Sequence, residues 1–193
     1  MEKVKLGAVP YIYPIPIVLV GATVRGRANY AEIGDCALMG IRPALVCVSL
    51  DRDHHTTQGI DEHEAFSINI PTQRMLAVTD YCGIASGKDV DKSALLESFA
   101  GEHTGVPMIR DCPVGLECRV KETVQIEHRR IFIAEVLECY VSAAFVARSE
   151  KGPQIADLSR LDPILYGLDN RYYNIGKPTG TGYREGASYR NVA

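Results

Sequence analysis

The longest runs with the character of β-strands are residues 115–128, GLECRVKETVQIEH, and residues 130–147, RIFIAEVLECYVSAAFVA. They are the strongest indication of the fold class. In the first run, Leu116, Cys118 and Val120 alternate with charged neighbours. A period of two is typical of a half-buried strand. The second run is rich in β-branched and aromatic residues, which favours strand over helix. Both runs predict a chain built mainly from strands.

The remaining sequence supports the same fold class. Further strand-like apolar runs, separated by turn residues, occupy residues 15–22, 44–50 and 65–71. Helical candidates are few and short, at residues 56–65, 72–86 and 91–101. Strands and helices do not alternate regularly, which argues against a doubly wound parallel sheet. The pattern predicts a mainly β fold, an antiparallel Greek-key barrel with a few short helices.

Length and charge restrict the domain organisation and the partners. The chain has 193 residues, which favours a single domain, and we assign residues 1–176 to it. The Gly- and Tyr-rich tail, residues 177–193, is expected either to be disordered or to order as an arm against a partner subunit. A formal net charge of −3 argues against nucleic acid as a partner.

The cysteines and the N-terminal run indicate a cytoplasmic chain. Six cysteines are scattered with no C-x-x-C pair, which predicts reduced thiols and no structural zinc site. The apolar run near the N-terminus is interrupted by Pro10, Pro14 and Pro16. It therefore does not read as a signal peptide or a membrane span, and we predict no membrane association.

Residues 51–60, DRDHHTTQGI, concentrate groups that can bind a metal ion or an anion. The adjacent His54 and His55 diverge on any regular element, and H-E-x-x-H is absent, so we predict no metal site. An anion pocket is favoured by a helix that begins near Thr56, because the free N–H groups of its first turn attract negative charge. Arg52 adds a cation. A surface loop with solvated charges remains the alternative for this stretch alone.

Two later stretches carry groups that suit a phosphorylated, flat ligand. Residues 81–93, YCGIASGKDVDKS, contain glycines that permit close backbone approach, together with Lys88 and Lys92. Residues 164–178 contain Tyr172 and Tyr173, whose rings could cover a planar ligand. Solvated lysines, and tyrosines packed on the barrel, are the structural alternatives.

Read in order, six features resemble the flavin reductase-like, FMN-binding split-barrel family, particularly its flavoredoxin branch. They are PIPIVLVGA, Asn29, RPALVCVSLDRDHHTTQGI, AFSINIP, DYCGIASGKDVDKS and LYGLDNRYYNIG, and they extend from about residue 10 to 176. Their order and spacing, more than any one motif, carry the resemblance.

The resemblance implies an FMN site and a homodimer. It implies phosphate contacts near the loop after residue 50, a cofactor contact from the strand end at residue 69, backbone groups around the isoalloxazine ring, and a tyrosine near the partner's site. Cys82, beside this pocket, is either redox active or a structural thiol. The implied cofactor-binding residues are Asn29, Tyr30, Ala31, Glu32, Ser49, Arg52, His54, Thr56, Asn69, Cys82, Lys88, Lys92 and Tyr173. The stretch NYAEIGDC departs from the family because it has no Thr or Ser after the Asn, so ring binding would rely on backbone groups or Cys36.

The implied activity is that of an FMN-dependent oxidoreductase, an NADH- or NADPH-dependent flavin or ferric reductase. No catalytic residue is assigned, because FMN would carry the chemistry. No G-x-G-x-x-G follows a strand, so a nicotinamide would bind over the flavin without a Rossmann domain. The alternatives are a flavoredoxin-type carrier that receives electrons from a redox protein, and a flavin-binding protein without turnover.

Overall fold

The computed structural model describes residues 1–149, 152–155 and 158–191. The strands are β1 Ile15–Pro16, β2 Val18–Val24, β3 Arg27–Ile33, β4 Cys36–Ile41, β5 Ala44–Asp51, β6 Ala65–Ile70, β7 Ser98–Ala100, β8 Pro107–Ile109, β9 Val114–Ile126, β10 Arg129–Val141, β11 Val146–Ser149, β12 Gly152–Ile155, β13 Leu165–Gly167 and β14 Arg171–Tyr173. The α-helices are α1 His55–His63, α2 Leu76–Ile84 and α3 Leu158–Leu161. Short 3₁₀ turns occupy Gln73–Met75, Lys92–Ala94, Ala143–Phe145 and Glu185–Asn191.

Seven strands form the main sheet in the order β3-β2-β6-β9-β10-β5-β4. Its pairings are antiparallel, and β9 and β10 form the long central pair, from Arg129 opposite Ile126 to Val141 opposite Val114. The order departs from the sequence order, since β5 pairs with β10 and β4, and not with β6, which follows it in the chain. The antiparallel Greek-key fold class is confirmed.

The sheet curls around a single core. Val18 and Val20 of β2 share one buried cluster with Val48 and Leu50 of β5. In a flat sheet, β2 and β5 would lie about 19 Å apart, because adjacent strands are spaced by about 4.8 Å. Their common cluster therefore requires strong curling, and the sheet stays open between its edge strands β3 and β4. This is the geometry of a split barrel.

Helices α1 and α2 pack on the half of the sheet that contains β2 and β3. Helix α1 lies against β2 and helix α2 against β3. Gly59 of α1 permits this contact, because a Cβ there would collide with the carbonyl oxygen of Thr23. Near the C-terminus, β13 pairs with both β1 and β14. The side chains described beyond residue 176 are exposed.

Two local predictions from the sequence were wrong. The helix expected over residues 91–101 is only the 3₁₀ turn Lys92–Ala94, followed by strand β7. The reason is tertiary, because β7 pairs with β8 and this ladder overrides local helix propensity. Glu117 was expected to be exposed, as one of the charged residues that alternate with the apolar face of β9, but it is fully buried.

In the described part of the chain, no helix is long and apolar enough to cross a membrane.

Candidate functional site

A cavity of about 730 Å³ opens beside the turn between β2 and β3. Its walls are this turn, the exposed face of the first turn of α1, and the loop that follows α2. The lining residues are Val24, Arg25, Arg27, Ala28, Asn29, His55, Gln58, Gly87, Lys88, Asp89, Val90, Asp91 and Lys92. We call it the cationic cavity, since its two arginines and two lysines outnumber its two aspartates, Asp89 and Asp91.

Lys92 is the most unusual group in the cationic cavity, because its side chain is only 3% exposed. Its Nζ donates hydrogen bonds to the carbonyl oxygens of Tyr30, at 2.9 Å, and Cys82, at 2.8 Å. Among the described residues, no carboxylate forms an ion pair with it. Burial lowers the pKa of Lys92. A buried ammonium without a counterion favours the binding of an anion nearby.

Asn29 and Gly87 fix the distance between two walls of the cavity. The buried Asn29 donates from Nδ2 to Oγ1 of Thr56, at 2.7 Å, which ties β3 to α1. A Cβ at Gly87 would collide with Oδ1 of Asn29 and would lie 2.8 Å from Cδ2 of His55. Only glycine therefore lets the loop after α2 come this close. The approach of Gly87 is to protein side chains, and the approach of a ligand to this stretch stays a prediction.

His55, and not the predicted His54, lines the cationic cavity. Its Nδ1 is buried and has no hydrogen-bond partner among the described residues. Burial lowers the pKa of His55, and the charges of Arg25 and Lys88 lower it further. The neighbouring His54 is the N-cap residue of α1 and is exposed as a whole, but partial burial of its ring lowers its pKa.

Four residues predicted near the phosphate do not line the cavity: Ser49, Arg52, His54 and Thr56. Ser49 accepts hydrogen bonds from Arg129, at 3.1 Å to Oγ and 2.7 Å to the carbonyl oxygen. Arg52 is exposed, and its Nε lies 3.8 Å from a carboxylate oxygen of Asp53. Thr56 is buried as the acceptor from Asn29. The side chains of Ser49, Arg52 and Thr56 are therefore engaged in contacts within the protein.

Asn69 makes hydrogen bonds within the protein, and its contact with a cofactor stays a prediction. The side chain is fully buried, and its Nδ2 donates to the carbonyl oxygen of Leu19, at 3.0 Å, and to Oγ of Ser67, at 2.8 Å. Its Oδ1 accepts from the backbone N–H of Ile109, at 2.8 Å. Both amide protons are used, so the predicted cofactor contact has no free donor at this residue.

The rest of the predicted ring site lies along β3 and α2. Tyr30 is buried and its hydroxyl contacts Oγ of Ser98 at 2.5 Å, while Ala31 packs in the barrel core. Cys82 is 2% exposed, and burial raises the pKa of its thiol. A buried, protonated thiol is the structural alternative for Cys82, because reactivity requires thiolate and access.

The two C-terminal tyrosines have different surroundings. Tyr173 lines a separate aromatic groove with Tyr11, Tyr13 and Tyr166, and its hydroxyl donates to Asp169 at 2.5 Å. Tyr172 instead turns inward against β3 and α2. The approach of Tyr173 to a partner's site stays a prediction.

The structure thus brings Asn29, Lys88 and Lys92 together. Sequence reasoning missed four residues that accompany them: Arg25, Arg27, His55 and Gln58. Two signals were present in the sequence. The turn RGR, residues 25–27, ends two positions before Asn29. Residues 55 and 58 have the i, i+3 spacing that places side chains on one face of a helix.

Comparison with known proteins agrees with this architecture. The family described as flavin reductase like domain matches residues 11–173. A crystal structure of flavoredoxin from Methanosarcina acetivorans is 36% identical, with a TM-score of 0.90, over 97% of this chain and 99% of that one. Flavoredoxin of Desulfovibrio vulgaris (Miyazaki F) is 30% identical, with a TM-score of 0.86, over 96% of this chain and 100% of that one.

An FMN-binding protein from Thermus thermophilus is similar in fold. It is 22% identical, with a TM-score of 0.77, over 94% of this chain and 97% of that one. The family match covers most of the chain, and two flavoredoxins match it over nearly their whole length. The chain therefore belongs to the flavin reductase like domain family.

Proposed function

We propose that the chain binds FMN, with the phosphate in the cationic cavity, and acts as an oxidoreductase of the flavin reductase type. The observation that carries the proposal is Lys92, a buried ammonium that lines a cavity and has only carbonyl partners among the described residues. An ammonium has three protons, so one remains for a ligand.

The other groups of the cavity fit a dianionic phosphate. Arg25 and Lys88 add exposed cations, and His55 adds an imidazole whose Nδ1 has no hydrogen bond within the described protein. The cavity also contains the carboxylates of Asp89 and Asp91. The carboxylate of Asp91 accepts from Ser93 and lies 3.4 Å from Arg27, so its charge is partly compensated. With a net charge of −3 on the whole chain, this local cationic cluster is what would attract an anion.

In this proposal the protein binds and orients while the cofactor provides the redox chemistry. Bound FMN would supply an acceptor for a hydride or for single electrons. Lys92 would hold the phosphate, and its bonds to Tyr30 and Cys82 would fix β3 and α2 beside it. Gly87 would keep the cavity narrow by its approach to Asn29.

A second candidate function is that of a flavoredoxin-type electron carrier without direct turnover of nicotinamide. The similarity to two flavoredoxins, at 36% and 30% identity, favours it. The two functions differ in their electron donor, which is NADH or NADPH for a reductase and a redox protein for a carrier.

Anaerobic mixing separates these functions. The FMN-loaded protein is mixed with NADH, with NADPH and with a reduced ferredoxin-type protein, and absorbance near the flavin band is followed. Rapid bleaching by a nicotinamide supports the reductase, and bleaching by the protein donor alone supports the carrier. A flavin that none of the three reduces would leave a flavin-binding protein without turnover.

We also propose that the chain is a homodimer. The edge strand β4 exposes Leu38, Met39 and Ile41, at 67%, 53% and 75% of their surface. Edge strands with apolar side chains are normally protected by pairing or by cover. Light scattering coupled to size-exclusion chromatography should give twice the 21.2 kDa of one chain, and a monomer at micromolar concentration would contradict the proposal.

A further inference from the structure

Tyr172 joins three elements through its hydroxyl group. It projects from β14, and its Oη lies 3.0 Å from Oε1 of Glu32 on β3 and 2.7 Å from Oδ1 of Asp80 on α2. Both distances are within hydrogen-bonding range. We call these three residues the carboxyl–tyrosine cluster.

The cluster has more acceptors than a phenol can satisfy. A tyrosine hydroxyl has one proton, whereas an ionised carboxylate only accepts hydrogen bonds. If Glu32 and Asp80 were both ionised, one of the two contacts would join oxygen atoms with no proton between them. We propose that one carboxyl group of this cluster keeps its proton to a higher pH than the exposed carboxyl groups do, and that this shared proton docks the C-terminal hairpin β13–β14 onto β3 and α2.

Glu32 is the carboxyl group that the surroundings select. Its side chain is half-buried, and its Oε2 lies against Gly83, where an added Cβ would collide with it. Burial raises the pKa of Glu32 and the negative charge of Asp80 raises it further, while the hydrogen bond from Tyr172 opposes the shift. In the resulting arrangement Glu32 donates to Tyr172, and Tyr172 donates to Asp80.

The remaining neighbours do not supply a counterion to Glu32. On α2, the Cys82 thiol faces it, and burial keeps that thiol protonated. The Lys92 ammonium is directed to the carbonyl oxygens of Tyr30 and Cys82. On the hairpin, Nε of Arg171 lies 3.9 Å from the carboxylate of Asp169. Within the described residues, the proton is therefore what removes repulsion between Glu32 and Asp80.

The direction of the pH dependence follows from the raised pKa. The folded state holds the Glu32 proton more tightly than the unfolded chain does, so the stabilisation is complete below the ordinary pKa of glutamate. It is lost progressively as pH rises through the folded-state pKa. The hairpin keeps other attachments, since Gln73 donates from Nε2 to the carbonyl oxygen of Tyr173, at 2.9 Å, so it should loosen and not detach at high pH.

The test is the substitution Glu32→Gln, because an amide N–H donates to Tyr172 at every pH. At pH 5 the variant should have a Tm equal to or below that of the wild type, and at pH 8 it should have the higher Tm. Amide hydrogen exchange of residues 163–176, corrected for intrinsic rates, should accelerate between pH 5 and pH 8 in the wild type and stay constant in the variant. The control Glu97→Gln removes an exposed ion pair with Arg110 and should not invert the order of Tm values. All proteins are compared as full chains at equal FMN content.

Two outcomes overturn the proposal. One is a Glu32→Gln variant that is less stable than the wild type by the same Tm difference at both pH values. If this variant does not fold, the wild type is titrated instead, by ¹³C NMR of the glutamate carboxyl groups. A midpoint for Glu32 above those of the exposed glutamates supports the shared proton, and a midpoint at or below them overturns it.

Discussion

Replacing Lys92 by methionine tests the proposed phosphate contact, because the side chain keeps its length and loses its charge. Two of the three ammonium protons are used by Tyr30 and Cys82, so at most one bond to a phosphate is lost. A hydrogen bond to a charged group contributes about 1.5–3 kcal/mol. FMN affinity should therefore fall by roughly ten- to hundredfold.

The structure also predicts a cost in stability for this substitution. The carbonyl oxygens of Tyr30 and Cys82 lose their donor, and an unsatisfied buried acceptor costs about 1–3 kcal/mol. Removing the burial penalty of the ammonium offsets part of this cost. We therefore expect a lower Tm for the apoprotein, and the dissociation constant must be measured on protein shown by circular dichroism to be folded.

The assay is quenching of flavin fluorescence on titration of FMN with protein. Lys121→Met is the matched control, because Lys121 is half-exposed, pairs with Glu135 at 3.0 Å and does not line the cationic cavity. Its affinity for FMN should equal that of the wild type. A folded Lys92→Met protein that binds FMN as tightly as Lys121→Met would refute the assignment of the phosphate to this cavity.

Three further substitutions test individual contacts. Gly87→Ala should weaken FMN binding or lower the Tm, since overpacking against Asn29 typically costs about 1–3 kcal/mol; unchanged binding and stability would show that the loop has room. Asn69→Ala should destabilise the fold by about 1–3 kcal/mol in urea unfolding while the folded protein retains its FMN affinity; weaker FMN binding by the folded variant would support the predicted cofactor contact instead. Glu117→Gln should destabilise the protein at pH 7 by a similar amount, because hydrogen bonds from Thr104 and Tyr140 outweigh burial and hold the pKa of Glu117 low. The difference from the wild type should shrink as pH falls through that lowered pKa, and a constant difference would contradict the assignment.

The fold could be predicted because its signals are local and periodic. Alternation in β9 and β-branched residues in β10 marked the two central strands before any contact was known. Residues 98–100 could not be assigned from sequence, because Leu95, Leu96 and Phe99 have helical spacing while the strand depends on pairing with residues 107–109. The burial of Glu117 could not be predicted for the same reason, since its hydrogen-bond donors are Thr104 and Tyr140, which are distant in the sequence.

The site was predicted in composition better than in detail. Lys88, Lys92 and Asn29 do meet, because each follows a recognisable turn or strand. The choice between His54 and His55 depends on where α1 begins, and a shift of one residue rotates a helical side chain by about 100°. Whether Tyr172 or Tyr173 packs against β3 and α2 similarly depends on which face of strand β14 is turned toward them, because successive side chains of a strand point to opposite faces. Neither choice is encoded in residue type alone.

The most direct test of phosphate binding in the cationic cavity compares FMN with riboflavin, which has the same ring and no phosphate. Both are titrated against the purified chain by flavin fluorescence and calorimetry. We expect one FMN per chain and riboflavin binding that is weaker by at least tenfold, because the cationic cavity binds the phosphate. Equal affinity for both flavins, or no binding of FMN by folded protein, would contradict it.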